Sequence, residues 1–137
     1  MSTAKKLEVI GHARRRVDGR EKVTGQLRYA DDLKLPRMLH MKLLRSSHPH
    51  ALIEAIDIAR AKSHPGVQLV LTGKDFPVPF GIMPVAQDEY PLAPEHVRYV
   101  GDPVAAVVAH DEQTASEALT LIEVKYKSLL TIATPEE

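Results

Sequence analysis

Val104-Ala105-Ala106-Val107-Val108-Ala109 is a run of strand length without one polar side chain. A short continuous apolar run bounded by turn signals is the pattern of a strand buried on both sides. Gly101-Asp102-Pro103 supplies the turn before it, and Asp111, a natural helix N-cap, follows it. This run is therefore read as the central strand. Downstream, a helix is expected from Thr114 to about Leu121, because Ala115, Ala118, Leu119 and Ile122 recur at helical spacing. Glu123 to Tyr126 alternates and reads as a closing strand, and the tail from Leu129 reads as a short strand piece followed by polar residues.

Upstream, Val67 to Thr72 (VQLVLT) is rich in β-formers and reads as a second core strand. Ala51 to Asp57 (ALIEAID) reads as a third. Asp57 is placed to cap a short helix, Ile58 to Ser63, that ends before Pro65-Gly66. Met38 to Arg45 reads as a strand after Pro36, with Ser46 to Pro49 as the turn that follows. Leu27 to Ala30, Tyr90 to Leu92 and Val97 to Val100 are read as short strand pieces. Few regular elements are expected before Leu27, where the chain is polar and basic and carries Gly11, Gly19 and Gly25. The expected fold is α+β: a mixed sheet with two short helices, each inside a β–α–β unit. It forms one domain, 1–137, with an extended N-terminal arm over about 1–26.

Composition narrows the function. Lys plus Arg and Asp plus Glu are 18 each, for a formal net charge of zero. A nucleic-acid binder normally shows a basic excess. The one basic run, Arg14 to Arg16, reads as a solvated surface or partner contact. There is no cysteine, so this chain offers no disulfide, thiolate metal site or iron–sulfur ligands. No signal-peptide core precedes Gly11 and no apolar run approaches membrane-spanning length. The expected protein is soluble and cytoplasmic, without nucleic-acid or membrane partners.

Candidate chemistry is sparse. His48-Pro49-His50 sets two imidazoles two residues apart, with His40 upstream and Glu54 and Asp57 on the following strand. A metal site needs a third ligand at workable spacing. The favoured reading is a turn whose histidines cap backbone groups or face a partner; a small metal-dependent enzyme built on His48 and His50 is the sharper alternative. Asp88-Glu89 and Asp31-Asp32 are carboxylate pairs. Adjacent loop residues usually point apart, so solvated loops are favoured over acid–base work. No phosphate loop, nucleophile elbow or HExxH is present. Gly73 to Glu89 carries Pro77, Pro79, Gly81 and Pro84 and reads as a long irregular loop, of a length that usually marks function or interaction.

Several segments together resemble one family. They are Asp18-Gly19-Arg20-Glu21-Lys22-Val23-Thr24-Gly25, Tyr29-Ala30-Asp31-Asp32, Arg45-Ser46-Ser47-His48-Pro49-His50-Ala51, Pro65-Gly66-Val67, Leu71-Thr72-Gly73-Lys74-Asp75, and Val100 through Ala109. In order and spacing they resemble the N-terminal α/β hammerhead domain of the molybdenum-binding large subunit of the xanthine dehydrogenase and aldehyde oxidase family. The resemblance runs from about Gly11 to Pro135. Pro77-Val78-Pro79-Phe80-Gly81 with Glu89-Tyr90-Pro91-Leu92-Ala93 is most similar to the α subunit of 4-hydroxybenzoyl-CoA reductase, which removes a phenolic hydroxyl from an aromatic CoA thioester.

The resemblance implies an oxidoreductase that uses molybdopterin cytosine dinucleotide, [2Fe–2S] clusters and FAD, with an additional [4Fe–4S] cluster in the reductase branch. It implies three partners: a molybdopterin-binding large-subunit chain, an FAD subunit and an iron–sulfur subunit. The family's pterin-holding residues and base glutamate lie beyond this domain, so the resemblance implies no catalytic, cofactor-binding or metal residue here. The chain ends at Glu137, close to the family's domain boundary, so a split subunit or an excised domain, inactive alone, is expected. The expected docking residues are Ser47, His48 and His50 in the turn and Phe76, Phe80, Met83 and Tyr90 in the Pro-rich loop, with the arm besides. Apolar side chains exposed together usually mark an interface. The alternative is a free-standing ligand- or protein-binding module of the same fold.

Overall fold

The computed structural model describes residues 9–134. They fall into two compact units, divided between Pro36 and Arg37. In the first, helix α1 (Gly19–Val23) is held by Asp18, whose carboxylate pairs with Lys22 at 2.7 Å and Arg16 at 3.2 Å. Leu27 to Ala30 is not a strand. The Asp32 carboxylate accepts the Tyr29 N–H at 2.9 Å, and this side-chain bond folds Ala30–Asp32 into a single 3-10 turn. Residues 1–8 of the expected arm, and the tail beyond Thr134, lie outside the described residues.

The second unit is built around β5 (Pro103–Ala109), which pairs antiparallel with β1 (His40–Arg45) on one side and β3 (Val67–Thr72) on the other. β2 (Ala51–Asp57) is the middle strand of a second sheet, flanked antiparallel by β4 (His96–Val97) and β6 (Glu123–Ser128). The α+β class is the observed one. The expected single mixed sheet is instead two three-stranded sheets in which every pairing is antiparallel. Helix α2 (Ala59–Lys62) carries the chain from β2 to β3, and α3 (Glu112–Leu119) from β5 to β6. Each helix thus crosses from one sheet to the other, and neither makes a parallel β–α–β unit. Both edges of β5 are already taken by β1 and β3, so the strand after α3 has no free edge beside it. Tyr90 to Leu92 is not a strand either, and the tail forms none through Thr134.

Side chains alternate in direction along β5, although Val104 to Val107 are all buried. Ala105, Val107 and Ala109 point to one face, where they pack with Ala61, Val70, Ala115, Ala118 and Ile122. Val104 breaks the alternation. Leu44 pairs with Ala105 and Arg45 with Pro103, so Val104 is the extra residue of a bulge. It packs with Ala51, Ala93 and Val97 of the second cluster. Ile56 and Val124 touch both clusters and so join them.

Helix α3 begins two residues earlier than its apolar spacing indicates because Asp111 caps it. Its Oδ1 accepts the Thr114 N–H at 2.7 Å and its Oδ2 the Thr114 hydroxyl at 2.8 Å. The helix ends at Leu119, after which Leu121 and Ile122 donate back three residues. Asp57 plays a similar part for α2, accepting the Ala59 N–H at 2.9 Å. Those two bonds from Thr114 hold the Asp111 carboxyl below the ordinary carboxylate range. A group with a depressed folded pKa stabilises above its unfolded pKa, and that contribution is lost as pH falls through the folded value. Asp111→Ala is therefore expected to lower the thermal midpoint at neutral pH, and the gap from wild type should shrink towards about pH 3. Melting curves at the two pH values check this, and a gap that did not narrow would refute it.

Candidate docking surface

Two neighbouring turns lie at the junction of the two sheets. Ser46, only 3% exposed, ties them together. Its N–H donates to the Asp102 carbonyl and its carbonyl accepts from the Gly101 N–H, both at 2.8 Å. Its hydroxyl donates to the His48 carbonyl and accepts the His48 N–H, each at 3.0 Å. Ser47 is thereby left exposed on the outside of the turn. Gly101 stands at φ +97°, where a Cβ would strain the backbone.

The histidines of the turn are parted. The His48 ring lies against Tyr126 with centroids 4.6 Å apart, and its Nδ1 is 3.5 Å from the Ser128 hydroxyl. Burial raises the Tyr126 phenol above its ordinary value, opposed by a hydrogen bond with Ser46 and helped by the Asp102 charge. His50 Nδ1 lies 2.7 Å from the Leu130 carbonyl. A carbonyl oxygen only accepts, so the ring donates there and caps the tail. His40 is elsewhere, beside Asp111 and Glu112 at the start of α3. Among the described residues no group of three or more His, Cys, Asp or Glu could hold a metal ion.

The Pro-rich segment after β3 is braced at both ends. At its base the Asp75 carboxylate accepts from the Thr72 N–H at 2.7 Å and the Thr72 hydroxyl at 3.1 Å, closing the 3-10 turn Gly73–Asp75. Further out, Phe80 and Glu89 exchange backbone bonds at 2.9 and 3.0 Å, and the Ala86 N–H reaches the Met83 carbonyl at 3.0 Å. The loop is thus a short irregular hairpin. Six of its exposed side chains are large and apolar, Phe76, Val78, Phe80, Ile82, Met83 and Val85, with Ile82 95% exposed and Met83 61%; Gln87, Asp88 and Glu89 are exposed beside them. Tyr90 is half-buried. Asp88 and Glu89 do not form an acid–base pair. Glu89 is held through its backbone, while Arg98 donates to the Asp88 carbonyl at 3.1 Å. A groove of ≈ 470 Å³ lies at the loop's base, lined by Lys74, Tyr90, Glu95, His96 and Arg98 among others.

A rigidly based loop with an apolar tip can dock against an apolar surface. Of the loop's side chains the sequence pointed to Phe76, Phe80 and Met83 with Tyr90, but not to Val78 or Val85, nor to what fastens the loop and the neighbouring turn. Ser46, Gly73 and the buried Leu92 and Ala93 were not singled out, because their contacts are made by segments distant in sequence.

Comparison with known proteins identifies the family. A family model described as "aldehyde oxidase and xanthine dehydrogenase, a/b hammerhead domain" matches residues 24–130. The chain belongs to that family. A probable xanthine dehydrogenase subunit of Bacillus subtilis is 48% identical over 127 residues, covering 91% of the chain and 17% of the relative. The carbon monoxide dehydrogenase large chain of Afipia carboxidovorans is 41% identical over 135 residues, covering 96% and 17%. The crystal structure of quinoline 2-oxidoreductase from Pseudomonas putida 86 superposes with a TM-score of 0.83 at 38% identity, covering 96% of this hammerhead domain and 18% of that chain. The domain therefore spans 17% of the length of either relative. Among the described residues no helix is long and apolar enough to cross a membrane.

Proposed function

We propose that this hammerhead domain is a non-catalytic part of a molybdenum-dependent oxidoreductase and works by docking onto the polypeptide that binds the molybdopterin. The observation that carries the reading is the loop from Phe76 to Tyr90: six apolar side chains held in solvent on a backbone that is itself hydrogen-bonded. Exposing them in a free module would disfavour solubility, whereas burying them contributes to association. The turn from Ser46 to His50 would form a second contact, with Ser47, His48 and His50 at its surface. Molybdopterin cytosine dinucleotide, [2Fe–2S] clusters and FAD would be held by other parts of the assembly, including FAD and iron–sulfur subunits. The described residues present no cluster of ligands that fits a metal, and this chain alone is expected to be inactive. A cytoplasmic location belongs to the same reading, since a chain without cysteine suits a reducing compartment.

An aromatic compound is the substrate class we favour. The names of two similar proteins, a xanthine dehydrogenase subunit and quinoline 2-oxidoreductase, point to nitrogen heterocycles. A second reading, a 4-hydroxybenzoyl-CoA reductase-like enzyme, rests on the segments Pro77–Gly81 and Glu89–Ala93, which the Phe80–Glu89 pairing brings side by side. The test is co-expression with the family's pterin-binding polypeptide. Wild type is expected to co-elute in a stable complex, and Phe80→Asp with Met83→Asp to lower the retained fraction by about tenfold. A wild-type domain that elutes alone would sink the reading. Turnover of the complex on quinoline or xanthine against 4-hydroxybenzoyl-CoA separates the two substrate classes.

A further inference from the structure

Within residues 37–134 the helices and the second sheet pack against one face of the β1–β5–β3 sheet. Its inward side chains, Val70, Ala105, Val107 and Ala109, meet α3 and the second sheet. The opposite face is formed by two cross-strand rows. Met41, Val108 and Leu69 lie abreast in one, and Leu43, Ala106 and Leu71 in the next. All six are apolar. Met41 remains 59% exposed and Leu69 48%, while Leu43, Leu71 and Val108 are half-buried and Ala106, between the two leucines, is buried.

An antiparallel sheet with one solvated face normally alternates apolar and polar residues. Here the outward positions are as apolar as the inward ones. That is why the Val104–Ala109 run is continuous and reads as a strand buried on both sides. The pattern suits two covering layers, and within residues 37–134 the packed clusters supply one.

We propose that the open face of this sheet is a second docking surface, covered by an apolar element of the same molybdopterin-binding polypeptide that receives the loop. This rests on the docking reading above. Two observations favour that occupant over a second copy of the domain. The two relatives carry about five sixths of their length outside the matched segment, so a covering layer is at hand in them. And six side chains fall well short of the roughly 20–30 residues per side of a stable interface. The face cannot hold a free dimer together, but it can extend an interface that the loop already anchors.

Two methionines report the two surfaces separately. Met41 lies on the sheet face and Met83 in the loop, 59% and 61% exposed. Thioether oxidation by dilute peroxide follows exposure, and peptide mass spectrometry reads each site in wild-type protein without substitution. Oxidation of both is expected to slow by about tenfold or more between the domain alone and its purified complex with the pterin-binding polypeptide. Protection of Met83 with Met41 oxidised equally fast in both samples would overturn the sheet-face proposal and leave the docking reading standing. Protection of neither would overturn both. Met41 protected in the domain alone as its concentration rises would show a second copy on the face and overturn the proposal.

Discussion

Val107→Asp is expected to leave the domain unfolded at room temperature. Val107 has no solvent exposure, sits at the centre of β5 and is surrounded by Ala61, Val70, Ala115, Ala118 and Ile122. The cation abreast of it in β1, Lys42, is already paired with Glu112 at the start of α3. Burying an unpaired charge, or protonating it to avoid that, costs about 4 kcal/mol or more. A domain of ordinary stability has about 5–15 kcal/mol in total. Met41→Asp is the matched control. It adds the same carboxylate to the same sheet, on the open face, and should keep a cooperative melt. Circular dichroism with thermal unfolding distinguishes them, and a folded Val107→Asp protein would mean that the core lies elsewhere.

That contrast was half legible in the sequence. Locally encoded features came through. Ala51–Asp57 and Val67–Thr72 are strands over the expected residues, because alternation and flanking turn residues are short-range signals. The failures have physical causes. At Tyr29 a side-chain carboxylate outcompetes strand pairing for a backbone donor. Around Tyr90 to Leu92 the chain carries Pro91 and nearby Pro94, which lack the N–H a ladder needs. The division into two sheets was not legible at all. It depends on which distant strands meet β5, and periodicity carries no such information. The same holds for the docking region. Phe76, Phe80, Met83 and Tyr90 could be named because apolar residues in an aperiodic, Pro-rich loop have no core position to occupy. Ser46 could not, since its role comes from Gly101 and Asp102, more than fifty residues away.

The asymmetry of the β1–β5–β3 sheet gives the Val104–Ala109 run a double meaning. One side of the strand makes the fold, through Val107 and its neighbours. The other side carries Ala106, buried between Leu43 and Leu71, and Val108, half-buried between Met41 and Leu69. Met41 and Leu69, beside Val108, remain exposed, and a further layer would complete their burial. A strand that reads as fully buried is therefore information about assembly as well as about fold.

Gly73→Ala is expected to be strongly damaging for so small a substitution. A Cβ at this position would stand 2.4 Å from the Pro94 Cα and 2.5 Å from the Ala93 carbonyl oxygen. Both are backbone atoms, and neither can swing aside as a side-chain tip would. Ala93 is itself fastened, with its N–H donating to the Pro103 carbonyl at 2.7 Å and its side chain in the cluster with Ala51, Val97 and Val104. Relief must come from pushing apart the base of the Pro-rich loop and the segment leading to β4. Overpacking of this kind costs about 1–3 kcal/mol, or roughly 5–12 °C in thermal midpoint for a domain of this size. Gly101→Ala is the instructive comparison. Its φ of +97° disfavours alanine, but nothing lies within 4 Å of the added Cβ, so only local strain of about 1 kcal/mol is incurred. If both variants melted alike, close approach at Gly73 would not be what sets the loop. If Gly73→Ala melts lower and is also retained less well by the pterin-binding polypeptide, the base of the loop positions its tip. A variant that melts lower yet docks normally would show instead that the tip is held by the Phe80–Glu89 pairing alone.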